Sequence, residues 1–109
     1  MAVLMTAQLP GATQEMMNGL RPLLETVRAA KGFVVHTNGP VPGGWRVTEV
    51  WDSQADFEAW FEAHVKPAFP DGAPLPSITF DELSDVVTAQ LIVRRASEAR
   101  PLQTRADAR

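Results

Sequence analysis

Hydrophobic and polar positions along the first third of the chain predict a strand followed by a helix. Residues 2–9 are mostly apolar and end at a Pro-Gly pair, which is typical of a short strand. Apolar residues then recur at helical spacing and predict an amphipathic helix over about 14–31, with Thr13 as its N-cap and Gly32 after its end. Pro22 lies inside this helix and is expected to kink or break it, because its ring clashes with the preceding turn.

The next stretch predicts a β-hairpin. Strands are expected over 33–38 and 45–51, joined by the turn-forming segment 39–44, and so short a connection favours antiparallel pairing. Side chains of the second strand alternate between two faces, and one face is aromatic or apolar around a single acid. The members of that face are Trp45, Val47, Glu49 and Trp51.

A second helix is expected after the hairpin. Ser53 is a suitable N-cap, Asp56 stands where a capping box places an acid, and Pro67 ends the pattern. A loop over 67–77 holds four prolines, and a fourth strand is expected over about 77–83. One face of the helix combines aromatic side chains with a histidine: Phe57, Trp60, Phe61, His64 and Val65.

The order β-α-β-β-α-β predicts an α+β, ferredoxin-like fold, in which an antiparallel sheet carries both helices on one face. The other face is also expected to be partly apolar, since Phe33 and Val35 should point one way and Val34 the other. Two sheets packed back to back would bury that second face. The pattern therefore predicts a homodimer that forms through the sheet face.

The C-terminal part of the chain divides into two kinds of sequence. Residues 86–93 are apolar at both odd and even positions, so both faces of a strand would be apolar. A strand of this kind exposed to water would be prone to aggregate. We therefore expect this segment to pair with, or lie across, another subunit. Residues 1–95 are expected to form one domain, and residues 96–109 a polar, Arg-bearing and flexible tail.

Charge and composition exclude several classes of protein. The net charge is −3, but five of the ten basic residues lie in the last sixteen positions, so residues 1–93 carry a net charge of −6. A region with this negative charge is a poor surface for nucleic acid, because binding of phosphate depends on clustered Lys and Arg. The chain has no cysteine, its first residues lack the basic and apolar runs of a signal peptide, and no apolar run could span a membrane. We therefore expect a cytoplasmic protein without membrane contact.

Residues 49–60, with the sequence EVWDSQADFEAW, carry a resemblance to a known family. A Trp ends the strand, Asp-Ser caps the helix, and Phe57 and Trp60 follow. With the order of elements, this segment resembles the dimeric α+β barrel superfamily and its antibiotic biosynthesis monooxygenase (ABM)-like family. The resemblance implies a sheet-mediated dimer with a ligand space between each sheet and its helices. Family members include cofactor-independent oxygenases of aromatic polyketides, haem-degrading proteins, cyclases and isomerases.

The sequence departs from the family in several places. Many members have a histidine nine residues after the strand-ending Trp, where this chain has Trp60. Haem-degrading members also have a Trp there, but they place a haem-ligating histidine ten residues further on, where this chain has Pro70. They use an Asn in the first strand, where this chain offers Gln8. The haem-degrading set is therefore incomplete here.

Two residues are candidates for acid/base chemistry, Glu49 and His64. Glu49 interrupts an aromatic face, and His64 shares the apolar face of the second helix. The expected substrate-binding residues are Trp45, Trp51, Trp60, Phe61 and His36. Simpler roles stand beside these: a histidine that bonds a backbone carbonyl, tryptophans that belong to the core, and a Glu49 paired with Arg28 or with Arg46 of the partner subunit.

A metal site built from His36, His64 and Glu49 has no ligand spacing to support it, and we expect neither a metal nor a cofactor. The leading hypothesis is an enzyme of the cofactor-independent monooxygenase-like type that acts on a small aromatic or polyketide-like ligand. The alternatives are a non-catalytic ligand-binding or accessory protein of the same fold and a haem-binding protein.

Overall fold

A computed structural model describes residues 1–89 of the chain. Its strands and helices follow the predicted order, the first helix is broken at Pro22 as expected, and two short irregular turns follow the last helix. In chain order they are β1 (Val3–Pro10), α1 (Gln14–Gly19), α2 (Leu23–Arg28), β2 (Phe33–Val41), β3 (Gly44–Trp51), α3 (Gln54–Trp60), a π-helical turn (Phe61–Val65), a 3₁₀ turn (Lys66–Ala68) and β4 (Ser77–Glu82).

The four strands form one antiparallel sheet in the order β2-β3-β1-β4. The central strand β1 pairs with β3 on one side and β4 on the other, so that Met5 lies between Glu49 and Phe80. The core between sheet and helices contains Met5, Val27, Trp51 and Phe57, each at most 3% exposed. The predicted α+β, ferredoxin-like fold is confirmed.

The first predicted helix is two helices separated at Pro22. The side chain of Thr13 caps α1 by accepting a hydrogen bond from the backbone N–H of Met16, as the sequence indicates. Since proline has no N–H and its ring blocks the preceding turn, the chain restarts as α2 at Leu23. This break turns residues 20–22 into a corner above the sheet.

The hairpin is tighter than predicted, because β2 continues to Val41 and the connection to β3 is reduced to Pro42 and Gly43. Gly43 has a φ of +84°, which suits the third position of a type II turn, and Pro42 suits the second. The segment 39–44 is therefore mostly strand, and the prediction that it forms an extended turn is wrong.

A β-bulge near the start of β2 changes which side chains face the helices. Phe33 pairs with Trp51 and Val35 with Val50, so Val34 is the extra residue. After the bulge His36 and Asn38 lie on the helix side, while Val35 is 40% exposed on the other side. The prediction that Phe33 and Val35 share a face is wrong, because strict alternation does not hold across a bulge.

We call the sheet face that points away from the helices the outer face. The register places Val35, Val50 and Leu4 in one row across β2, β3 and β1. The neighbouring row consists of four threonines, Thr37, Thr48, Thr6 and Thr79, one from each strand. The outer face thus combines an apolar row with a row of short hydroxylated side chains.

The segment 86–93 is only partly within the described residues. Residues 86–89 are not in a strand, and Val87 is 94% exposed. The remainder of this segment and the predicted tail at 96–109 lie outside the described residues. Across residues 1–89, no helix is long and apolar enough to cross a membrane.

Candidate functional site

A cavity lies between the sheet and the helices, as the family resemblance implies. The cavity has a volume of about 110 Å³ and is partly open to solvent. Its walls are mainly apolar and come from α1, α2, the segment 57–69 and the strands. The polar side chains that line it are few: Gln14, Arg21, His36, Asn38, Glu49 and Trp60. A mostly apolar pocket with a small number of converging polar groups is typical of a small-molecule site.

The floor of this cavity carries a histidine–carboxylate pair. Glu49 on β3 and His36 on β2 are direct cross-strand neighbours, and His36 Nδ1 lies 2.6 Å from Glu49 Oε2. The Glu49 side chain is 2% exposed and that of His36 17% exposed. Glu49 therefore pairs with His36 within the chain and not with Arg28, which was one of the two alternatives. Arg28 pairs with Glu25 instead.

The second oxygen of Glu49 is held by Trp51. The indole Nε1–H of Trp51 donates to Glu49 Oε1 at 2.8 Å, and Trp51 itself is fully buried. An indole N–H can only donate, so it requires an acceptor oxygen at Glu49. Each oxygen of the buried carboxylate thus has a partner, which lowers the cost of keeping it out of water.

A second indole sets the orientation of the pair from the other end. Trp45 Nε1 donates to Asn38 Oδ1 at 2.9 Å, which directs the Asn38 amide nitrogen toward His36 Nε2 at 2.8 Å. Because Asn38 Nδ2 is a donor, His36 Nε2 is the acceptor and the ring proton is on Nδ1. We infer that a neutral His36 donates from Nδ1 to an ionised Glu49.

The aromatic wall contains some of the predicted substrate-binding residues. Trp60 and Phe61 line the cavity, as do His36 and Glu49. Trp60 is fixed by donating from Nε1 to the Thr26 hydroxyl at 2.9 Å, which ties the wall to α2. These four predicted residues therefore share one cavity.

Trp45 and Trp51 do not line the cavity, and the prediction that they form its wall is wrong. Trp51 is enclosed by the rings of Phe33, Phe57 and Trp60, with centroids 5.6–5.7 Å from its own. Its place is the core, because it ends the strand directly beneath α3. Trp45 is 7% exposed and reaches the site only through Asn38. Both tryptophans position polar side chains of the floor.

His64 is exposed and is not among the residues lining the cavity. The prediction that it lies on the buried face assumed a continuous α-helix. Instead, the chain widens into a π turn, in which the N–H of Lys66 bonds to the carbonyl of Phe61. This turn inserts one extra residue and changes the direction of the side chains, so that Val65 remains buried, as predicted, while His64 is exposed.

Asn38 and Arg21 also line the site, although neither was predicted to do so from the sequence. Asn38 shares the parity of His36, so alternation along β2 was a signal that could have identified it. Arg21 had no comparable signal, because its position depends on the corner at Pro22. Among residues 1–89, no three His, Asp or Glu side chains are grouped closely enough to hold a metal ion.

An antiparallel sheet with helices on one face and a cavity between them defines a small α+β protein with a ligand-sized site. Residues 3–69 match the family model described as antibiotic biosynthesis monooxygenase, so the chain belongs to this family. The expected membership is confirmed. No curated protein matches the sequence significantly.

Several solved structures share the fold. The heme-degrading protein Rv3592 from Mycobacterium tuberculosis is 23% identical, with a TM-score of 0.57 over 81% of this chain and 100% of that one. SnoaB, a cofactor-independent oxygenase from Streptomyces nogalater, is 17% identical, with a TM-score of 0.52 over 81% and 96%. A putative antibiotic biosynthesis monooxygenase from Chloroflexus aurantiacus J-10-fl is 17% identical, with a TM-score of 0.59 over 81% and 98%. At these identities the likeness establishes the fold alone.

Proposed function

We propose that this protein is a cofactor-independent monooxygenase that oxidises a small aromatic or polyketide-like substrate in the cavity. The observation that carries the proposal is the His36–Glu49 pair, 2.6 Å apart, on the floor of a largely apolar cavity walled by Trp60 and Phe61. A buried carboxylate behind a histidine is the arrangement by which enzymes orient a general base. The solved structure of SnoaB, described as a cofactor-independent oxygenase, has the same fold.

The proposed base is His36, acting through Nε2. An activated C–H of the substrate, beside a carbonyl or phenol, transfers its proton to this nitrogen, and Glu49 stabilises the imidazolium that forms. The substrate has to displace the amide of Asn38, an exposed residue, from Nε2. The freed amide N–H can then donate to the enolate oxygen, where the negative charge develops.

The substrate supplies the electrons in the oxidation that follows. Its carbanion reduces O₂ and forms a C–O bond, giving a peroxide at the former CH₂ carbon. Loss of the second C–H proton cleaves the O–O bond and releases water, so that CH₂ and O₂ become C=O and H₂O. The protein's part is to remove protons and to hold the substrate in a largely apolar cavity.

Oxygen uptake with an anthrone as substrate tests this proposal. General-base catalysis contributes about 10²–10⁴-fold, so we expect Glu49→Gln and His36→Ala to lower kcat/KM by about a hundredfold or more. His64→Ala is the matched control and should retain the wild-type rate, because His64 lies outside the cavity. Equal rates for wild type and Glu49→Gln would remove Glu49 from the mechanism.

The same measurements separate the alternative functions. A protein that binds the anthrone in the cavity but consumes no oxygen above the uncatalysed rate would be a ligand-binding or accessory protein. A haem-binding protein would shift the Soret band when titrated with haem, and the shift should disappear in a variant that lacks the ligating histidine. Among residues 1–89 the cavity is lined by one histidine, His36, so His36→Ala is the decisive variant.

We further propose that the chain forms a homodimer through the outer face. Leu4, Val35 and Val50 form a contiguous apolar row there, and a partner sheet would remove it from water. The cytoplasmic location and the roles of residues 90–109 stay predictions from the sequence.

A further inference from the structure

The charges of residues 1–89 are unevenly matched. This part of the chain has five Lys or Arg side chains against eleven Asp or Glu, a net charge of −6. Three of the five cations are engaged by carboxylates within 4 Å: Arg28 by Glu25, Lys31 by Asp56 and Lys66 by Glu62. Two cations are left without an ion pair inside the described range, Arg21 and Arg46.

These two arginines lie on opposite sides of the sheet. Arg46 is exposed on the outer face, where it lines a shallow groove with Thr37 and Thr48. Arg21 is at the corner between α1 and α2 and is the one cationic side chain that lines the cavity in the part of the chain described. An unpaired cation at a ligand cavity of an otherwise acidic domain points to an anionic ligand.

The cavity is polar at two separate places. Its floor holds the buried carboxylate of Glu49, whereas Arg21 is exposed and belongs to the helix layer. The rest of the wall is mainly apolar, with Met17, Leu20 and Leu24 among its residues. An anionic group near the floor would be repelled by Glu49, so the favourable place for such a group is the mouth, beside Arg21.

We propose that the substrate is an aromatic carboxylic acid whose carboxylate is bound by Arg21 at the mouth, with its reactive carbon directed toward His36. This proposal rests on the proposed function, since it assigns the substrate class of the same cavity. The guanidinium group presents paired N–H donors that match the two oxygens of a carboxylate. The apolar wall matches the aromatic body that joins the two ends.

Calorimetric titration with 2-naphthoate and 2-naphthamide tests the proposal, because the two compounds share a shape and differ in charge. We expect wild type to bind the carboxylate about tenfold more tightly than the amide, in keeping with a charge-assisted hydrogen bond. Arg21→Gln should abolish that preference and leave the affinity for the amide unchanged. Arg28→Gln, which removes an arginine already paired with Glu25, is the matched control and should change neither affinity.

Two results would overturn the proposal: equal wild-type affinity for both compounds, or a preference for the carboxylate that persists in Arg21→Gln. Failure to bind either compound at millimolar concentration would also overturn it. The proposed function is tested by a different measurement, oxygen uptake. Equal oxygen uptake by wild type and His36→Ala would show that His36 is not the general base, and the preference for the carboxylate that Arg21 provides would be unaffected.

Discussion

Glu49 is a carboxylate with almost no contact with solvent, and its hydrogen bonds come from the indole of Trp51 and the imidazole of His36. If His36 is neutral, as the hydrogen-bond donors indicate, the negative charge is held by dipoles and not by an ion pair. Such a charge is costly to bury, and each donor that faces it therefore contributes more than an ordinary hydrogen bond. The same arrangement places the Glu49 carboxylate where it can stabilise an imidazolium formed at His36.

Because Glu49 is a buried charge, we expect Trp51→Phe to have a large effect on stability. The substitution removes the donor to Glu49 Oε1, and an unsatisfied buried acceptor costs about 1–3 kcal/mol. We expect the free energy of unfolding in urea to fall by about 2 kcal/mol or more, given the added packing loss. Trp60→Phe is the matched control, since its partner Thr26 keeps its bond to the carbonyl of Leu23.

A double-mutant cycle identifies the cause of this effect. In a Glu49→Gln background the buried charge is gone, so Trp51→Phe should cost less than it does in wild type. An identical cost in both backgrounds would show that Trp51 acts through packing alone and that the carboxylate does not depend on its indole.

At the scale of elements, capping and turn residues correctly predicted most helices and strands. Two irregularities, however, changed which side chains face the cavity. Thr13 and Ser53 cap helices through their side chains, as the sequence indicated. The bulge at Val34 and the π turn over Phe61–Val65 could not be read from periodicity, since each adds one residue to a regular pattern. As a result Glu49 was correctly predicted to be a polar residue of the cavity, but the histidine beside it is His36, and His64 lies outside the cavity.

Gly32 is the connection at which α2, β2 and α3 meet. Its φ is +83°, its carbonyl accepts from the N–H of Asp52 at 2.7 Å, and a β-carbon at this position would overlap the side chain of Asp56. We expect Gly32→Ala to lower the free energy of unfolding by about 1–3 kcal/mol, because alanine disfavours this backbone and displaces Asp56.

Gly19→Ala is the control for this substitution. Gly19 ends α1 without a positive φ, and a β-carbon there would meet no atom within 4 Å. Alanine is the better helix former, so the control should be neutral or stabilising by up to about 1 kcal/mol. A Gly32→Ala variant as stable as the control in thermal or urea unfolding would contradict the role given to this junction.

At the scale of the whole molecule, the two faces of the sheet differ in what covers them and in the residues they present. The helix face encloses the cavity, and its strands supply both the core and the polar floor. The outer face has no covering element among residues 1–89, although its row of Leu4, Val35 and Val50 is apolar. Sequence patterning predicted that this face needs a partner. It did not reveal the adjacent row of threonines, because that row exists only once the register of all four strands is known.

The proposed homodimer can be tested by placing a charge at the centre of the apolar row. Val50 lies between Leu4 and Val35, so Val50→Asp would bury an unpaired carboxylate in a sheet-to-sheet interface. We expect sedimentation at micromolar concentration to give twice the chain mass of 11.9 kDa for wild type and a single chain mass for the variant, with far-UV circular dichroism showing that both are folded. Val50→Thr, which preserves shape without charge, should remain dimeric. A wild-type protein that sediments as one chain would refute the dimer, and a dimeric Val50→Asp would place the interface on another surface.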